Sequence, residues 1–190
     1  DRSGGFYPNP QVYEIEKEGL ESADAIVSVS NFTKNILVDK YGISPSKVKV
    51  VYNGVDDCTP KSLGPALKPL KDLGYKIVLY LGRLTLHKGP DYFVKAAEKV
   101  TQFNPKTLFV VAGSGEMQEA MIAQAGSLGI LDKMMFTGFL RGEEKDRIYQ
   151  AADVYVMPSV SEPFGITPLE AIANGTPTLV SKQSGVSEVL

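Results

Sequence analysis

KIVLYLGRLTLHKGPDYFVKAAEKVTQFNPKTLFVVAG, residues 76–113, decides the architecture of this chain. Two short apolar runs, Lys76 to Leu81 and Thr107 to Gly113, flank a segment whose helical spacing places Phe93, Ala96, Ala97 and Val100 on one face. Each run is apolar at consecutive rather than alternate positions, so a strand built from it needs cover on both sides. That is the pattern of a parallel sheet between two layers of helices. The alternation continues downstream. A helix runs through Met117, Ala120, Met121 and Ala125, followed by a strand from Met134 to Gly138 and a helix from about Glu143 to Ala152. Next come a strand from Val154 to Pro158, a helix from about Gly165 to Asn174, and a last strand from Thr176 to Ser181. The expected fold class is α/β, a doubly wound, Rossmann-like parallel sheet.

Upstream, Glu14 to Ser22 and Asn31 to Tyr41 read as helices, and Ala25 to Ser30 and Val48 to Asn53 as strands. Between Asp56 and Leu73 the chain is rich in Lys and Gly, carries Pro60, Pro65 and Pro69, and has no firm period. That is the composition of an interdomain linker. The expected division is 1–57 as the end of one domain, 58–74 as linker and 75–190 as a second domain.

The 190 residues are 43% hydrophobic and 22% charged, enough for a real core. A formal net charge of -2 and a pI near 5.5 give no field that would gather nucleic acid. Cys58 is the single cysteine, so no internal disulfide forms, and the composition fits a reducing compartment. No apolar run approaches the ~20 residues of a membrane span. The expected location is the cytoplasm, with peripheral attachment at the inner face of the membrane left open.

Ligands of an open parallel sheet bind outside the carboxyl ends of its strands, where strand order reverses. Three strand-end loops carry unusual residues. Gly82 to Gly89 places Arg83 and Lys88 in one turn, a planar fork and a mobile point charge suited to phosphate oxygens; a solvated turn reads equally well. His87, beside Lys88, reads as a surface residue. Gly113-Ser114-Gly115 opens like a dinucleotide fingerprint, but Gln118 stands where the third glycine belongs. In the third loop, Ser159 to Glu170, a carboxylate at Glu162 precedes a helix start whose free N–H groups suit an anion. Thr167-Pro168-Leu169-Glu170 fits a capping box, so Glu170 reads equally as a cap and as a ligand.

Taken together and in order, these segments resemble the group-1, glycogen synthase-like family of retaining GT-B glycosyltransferases. The match runs from Ala23-Asp24 with Ser28 to Ser30, through Tyr52 to Asp56, Gly82-Arg83, Lys88-Gly89 and Val111 to Gly115, to Phe136 to Leu140 and Ser159 to Gly175. Glu162 and Glu170 match its paired glutamates. The resemblance implies a hexosyltransferase that takes an NDP-sugar donor (UDP-, ADP- or GDP-linked) and passes the sugar to a carbohydrate or lipid-linked acceptor. It implies catalytic roles for Glu162, Arg83 and Lys88. It implies donor contacts at Gly82, Arg83, Lys88, Gly113, Gly115, Leu140, Arg141, Glu162, Phe164, Gly165, Ile166 and Glu170. Arg83 and Lys88 would grip the diphosphate, Glu162 the sugar and Glu170 the ribose, while the backbone N–H groups of Phe164, Gly165 and Ile166 would meet sugar or phosphate. Neither cofactor nor metal is implied, and Asp56-Asp57 lack the Asp-x-Asp alternation that would aim both at one ion.

Relative to the family the chain is expected to be truncated at both ends: residues 1–57 would be the tail of the acceptor domain and 75–190 an incomplete donor domain. By itself it would bind nucleotide weakly and transfer no sugar. The rival readings are a nucleotide-sugar epimerase or phosphorylase on the same fold, and a non-catalytic nucleotide-sugar-binding module.

Overall fold

The computed structural model describes residues 9–56 and 67–190. Its main sheet has five parallel strands in the order β5-β4-β3-β6-β7. The first strand in sequence, β3 (Lys76–Leu81), lies at the centre. It pairs along its whole length with β4 (Thr107–Ala112), from Lys76 opposite Thr107 to Leu81 opposite Ala112. On its other side it pairs with β6 (Val154–Met157). The chain moves outward from β3 to β4 and β5 (Met134–Gly138), then crosses back to β6 and β7 (Thr178–Val180). Strand order therefore reverses between β3 and β6, the place in such a sheet where a ligand is expected outside the strands' carboxyl ends.

The consecutive apolar residues of β3 feed two cores. Ile77 and Leu79 point to one face with Val110, Tyr155 and Phe164; Tyr80 points to the other with Phe93, Val94 and Val111. The first core is roofed by α3 (Lys68–Asp72), α6 (Gly142–Ala151) and α7 (Thr167–Ala173). The second is roofed by α4 (Pro90–Phe103) and α5 (Gln118–Ser127). Both faces are covered, as the unbroken apolar runs require.

Several local expectations need correction. On α4 the buried stripe is Pro90, Phe93, Val94 and Ala97, the i, i+3, i+4, i+7 set, whereas Ala96 and Val100 face solvent. The same spacing thus starts at Pro90 instead of Phe93, with the Phe93 ring packed against Tyr80 and Phe109. Of the stretch read as linker, 58–74, only residues 67–74 are described; they include α3, and Leu67 just before it is buried in the first core. The proposed boundary at residue 57 lies outside the described residues. Helix α7 starts at Thr167 rather than Gly165. Gly165 has a φ of +96°, outside the helical region, and a Cβ there would press on Met157 and the Glu162 side chain.

Residues 9–56 form α1 (Pro10–Ser22), β1 (Ile26–Ser28), α2 (Asn31–Tyr41) and β2 (Val48–Val50), with β1 and β2 parallel. Helix α1 begins four residues earlier than expected. The Asn9 side chain accepts from the Gln11 N–H at 3.0 Å and Pro10 fits the first turn. Ser30 caps α2 by accepting from the Thr33 N–H at 3.0 Å.

Candidate functional site

The loops leaving β3, β4 and β5 and the first turn of α7 enclose a hollow of about 450 Å³. Gly82, Arg83, Gly113 and Leu140 line it, together with Phe139 and Thr167. The loops approach closely. Gly113 has a φ of +146°, and a Cβ on it would run into the Gly82 carbonyl. The Leu84 N–H donates to the Ser114 carbonyl at 3.0 Å, tying the first loop to the second. Among the described residues no carboxylate pairs with Arg83, so its guanidinium is a cation at the mouth of the hollow. The wall is otherwise mainly apolar, from Leu81, Ala112 and Leu140. Such a cavity suits a flat or aliphatic moiety joined to an anionic group.

Lys88 lies at the end of a 3-10 turn, Leu86–Lys88, and donates to the Glu162 carboxylate, forming a half-buried ion pair. Glu162 is 8% exposed, so the pair links the loop after β3 to the loop after β6 with little solvent screening. The backbones agree: the Val160 N–H donates to the His87 carbonyl at 2.8 Å. Of the residues expected to act together, Arg83 is thus open and Lys88 compensated.

Glu170 lies elsewhere. Its carboxylate accepts from Lys145 Nζ at 2.8 Å and from the Tyr149 hydroxyl at 3.0 Å. This overturns the capping-box reading. Ile166 is the residue before the helix, no side chain caps it, and Thr167 Oγ1 instead accepts from the buried Tyr155 hydroxyl at 2.8 Å. Burial, reinforced by Tyr155 and Glu170, pushes the Tyr149 phenol far above its usual value, so it remains a hydrogen donor to Glu170. Burial likewise raises the Tyr155 phenol. Glu170 and Ile166 line a second hollow of about 270 Å³ with Gly54, Asp56 and Lys145.

The remaining expected residues, Gly115, Arg141, Phe164 and Gly165, line neither hollow, although Gly115 and Arg141 directly follow the lining residues Ser114 and Leu140 in the chain. The Phe164 ring is buried in the first core, leaving only its backbone to face a ligand. Gly115 sits beneath the Leu84 carbonyl, where a side chain would not fit. Arg141 places its guanidinium 5.0 Å from the centre of the Phe139 ring, which is 64% exposed. Lys145 and Tyr149 were not foreseen, although their i, i+4 spacing on α6 marks a shared face.

Residues 67–190 match the family of glycosyl transferases group 1, and residues 7–57 match glycosyltransferase family 4. The chain belongs to the group-1 glycosyltransferases. An uncharacterized glycosyltransferase of Methanocaldococcus jannaschii is 33% identical over the whole chain and 50% of its own length. The glycogen synthase of Mycobacterium tuberculosis is 29% identical over 95% of this chain and 42% of its own length. The chain therefore spans about half the length of the curated relatives it matches. Among solved structures, Anabaena HepE in complex with UDP and glucose superposes with a TM-score of 0.81. It is 22% identical over 96% of this chain and 51% of that chain. These structural neighbours are glycosyltransferases of GT-B architecture, the two-domain arrangement that the sequence resembles. No helix among the described residues is long and apolar enough to cross a membrane.

Proposed function

We propose that this group-1 glycosyltransferase chain is the donor-binding part of a retaining hexosyltransferase that moves a sugar from an NDP-sugar to a carbohydrate or lipid-linked acceptor. The observation that carries the reading is the hollow outside the carboxyl ends of β3 to β5, lined by Arg83, with which no carboxylate of the described residues pairs. The Lys88–Glu162 pair joins the loops after β3 and β6 and does not itself line that hollow. In this scheme the nucleoside occupies the apolar wall near Leu140, with Arg141 beside it. The diphosphate lies against Arg83, Lys88 and the backbone of Gly82, Gly113 and Phe164 to Ile166. Lys88 has three donors, so it holds Glu162 while also meeting a phosphate oxygen. Glu162 faces the transferred sugar, and Glu170, fixed by Lys145 and Tyr149, faces the ribose, which in this scheme reaches from the first hollow towards the second one that Glu170 lines.

The chemistry follows from charge. The bond between the anomeric carbon and the phosphate oxygen breaks with its electron pair on the diphosphate, leaving an oxocarbenium-like sugar. Fixed cations close to the departing oxygen favour that transition state over the ground state. The acceptor hydroxyl forms the new bond on the face the diphosphate leaves, and its proton passes to the diphosphate. Side-chain cations fill the place a metal ion takes in other phosphate sites. For the 190-residue chain we expect nucleotide binding without transfer, and the protein's place is taken to be cytoplasmic.

A thermal-shift panel of UDP, ADP, GDP and their glucose conjugates tests the donor reading, since a ligand that binds only the native state raises its melting temperature. One nucleotide family is expected to stand out; no shift with any of them would refute the reading. Retention is tested in a protein of the relatives' full length, where an inverted anomer would exclude it.

A further inference from the structure

Resting on that donor-site reading, we propose that Glu188 is a positioning residue for the loop that carries Glu162. Its carboxylate gathers four donors. The N–H groups of Asn31 and Phe32 reach it at 2.8 and 2.6 Å, the Asn31 side-chain amide at 3.0 Å and the Tyr52 hydroxyl at 3.0 Å. Asn31 and Phe32 open α2, whose first-turn donors and positive end suit a carboxylate.

The other side of the same segment grips the loop after β6. Glu188 closes a 3-10 turn, Gly185–Glu188. From that turn the Gly185 N–H donates to the Glu162 carbonyl at 3.1 Å and the Val186 N–H to the Phe164 carbonyl at 2.8 Å. The carbonyl between them, that of Pro163, accepts from the Ser30 hydroxyl at 2.5 Å, and Ser30 is the cap of α2. Three consecutive carbonyls, those of Glu162, Pro163 and Phe164, are thus held from outside the loop. Two are held by the Glu188 turn and one by the helix that Glu188 binds. The fit leaves no slack: a Cβ on Gly185 would collide with the Pro163 carbonyl and with Ser30. Glu188 therefore closes a ring of contacts whose far side fixes the backbone from which Glu162 reaches Lys88.

A carboxylate that only stabilised the fold would change the melting temperature and leave affinities alone. One that positions the Glu162 loop is felt by the sugar more than by the nucleotide, because Glu162 faces the sugar while the nucleotide shares with that loop only the backbone of Phe164 to Ile166 and keeps its contacts with Arg83, Gly82 and Gly113. The test is calorimetric titration of the 190-residue chain with UDP and with UDP-glucose, or with the ADP or GDP pair if the unaltered chain prefers it. Glu188→Gln is expected to weaken the sugar nucleotide about fivefold and the bare nucleotide by no more than about twofold. Tyr52→Phe, which removes one of the four donors, is expected to move the ratio the same way by less, and carries the test if Glu188→Gln does not fold. An unchanged ratio in a folded variant overturns this inference alone. Failure of the unaltered chain to bind any of the nucleotides overturns the donor reading and this inference together.

Discussion

The two sheets of this chain are built on one plan and buried very differently. In the five-stranded sheet Ile77, Leu79, Val110 and Val111 are fully buried. In the two-stranded sheet Val27 is 67% exposed, Val51 just after β2 is 57% exposed, and no residue of α1 is buried. Parallel strands draw stability from cover on both faces, and a lone pair of strands has little to give. Stability and precision therefore reside mainly in the larger sheet. The crevice is anchored to the well-packed sheet. The smaller unit adds contacts through polar groups, Ser30, Asn31, the Phe32 N–H and Tyr52, and through Val29 against the first core and the Tyr52 ring near Phe164.

Matched substitutions should separate the two regions sharply. Ile77→Ala in the central strand is expected to cost about 2–5 kcal/mol in urea unfolding. Ile15→Ala on α1, where the side chain is 70% exposed, should stay within about 0.5 kcal/mol. Similar losses at both sites would show that the two regions contribute alike to stability. Next in size is Gly113→Ala, which forces a Cβ against the Gly82 carbonyl and should cost about 1–3 kcal/mol. Its loss of nucleotide-induced thermal shift should exceed what the stability change alone explains.

Much of this was legible beforehand because it is local. Strands β3 and β5 and helix α2 coincide with the apolar runs and helical spacing that announced them, and the glycines at 82 and 113 marked the loops around the hollow. What was not legible depends on distant partners. The orientation of α4 places Phe93 and Val94 in the second core with Tyr80, Phe109 and Val111, and spacing alone does not rank Val94 above Ala96. The capping-box pattern at Thr167 to Glu170 is locally sound, yet Lys145 and Tyr149 from α6 draw the carboxylate away. Glu188 meets Asn31 across nearly the whole chain, and no short motif announces that contact.

A smaller effect separates the regions by acidity. Asp153, at the amino end of β6, accepts from Lys71 Nζ at 2.8 Å and from the Ile77 N–H at 2.8 Å. Burial alone would raise its carboxyl, but these bonds, with Lys76, hold it below the ordinary value of 3.8. A lowered folded-state value means the contribution is complete above about pH 4 and vanishes as pH falls through the folded value. After solvent screening it is expected to be no more than about 1 kcal/mol. Urea titrations between pH 7 and pH 2 should show this acid loss in the parent chain and its reduction in Asp153→Asn. An unchanged profile in the variant would assign the acid sensitivity elsewhere, with Glu188 the next carboxylate to replace. Burial would raise Glu188 too, but the Asn31 and Phe32 N–H groups hold it low.

The most direct test of the donor site is diffraction from crystals of the chain grown with the nucleotide that the thermal panel selects. The predicted density places the diphosphate between the Arg83 guanidinium, Lys88 Nζ and the backbone of Phe164 to Ile166, with the base beside Leu140. A nucleotide bound away from both cations, or an empty hollow at saturating ligand, would contradict it.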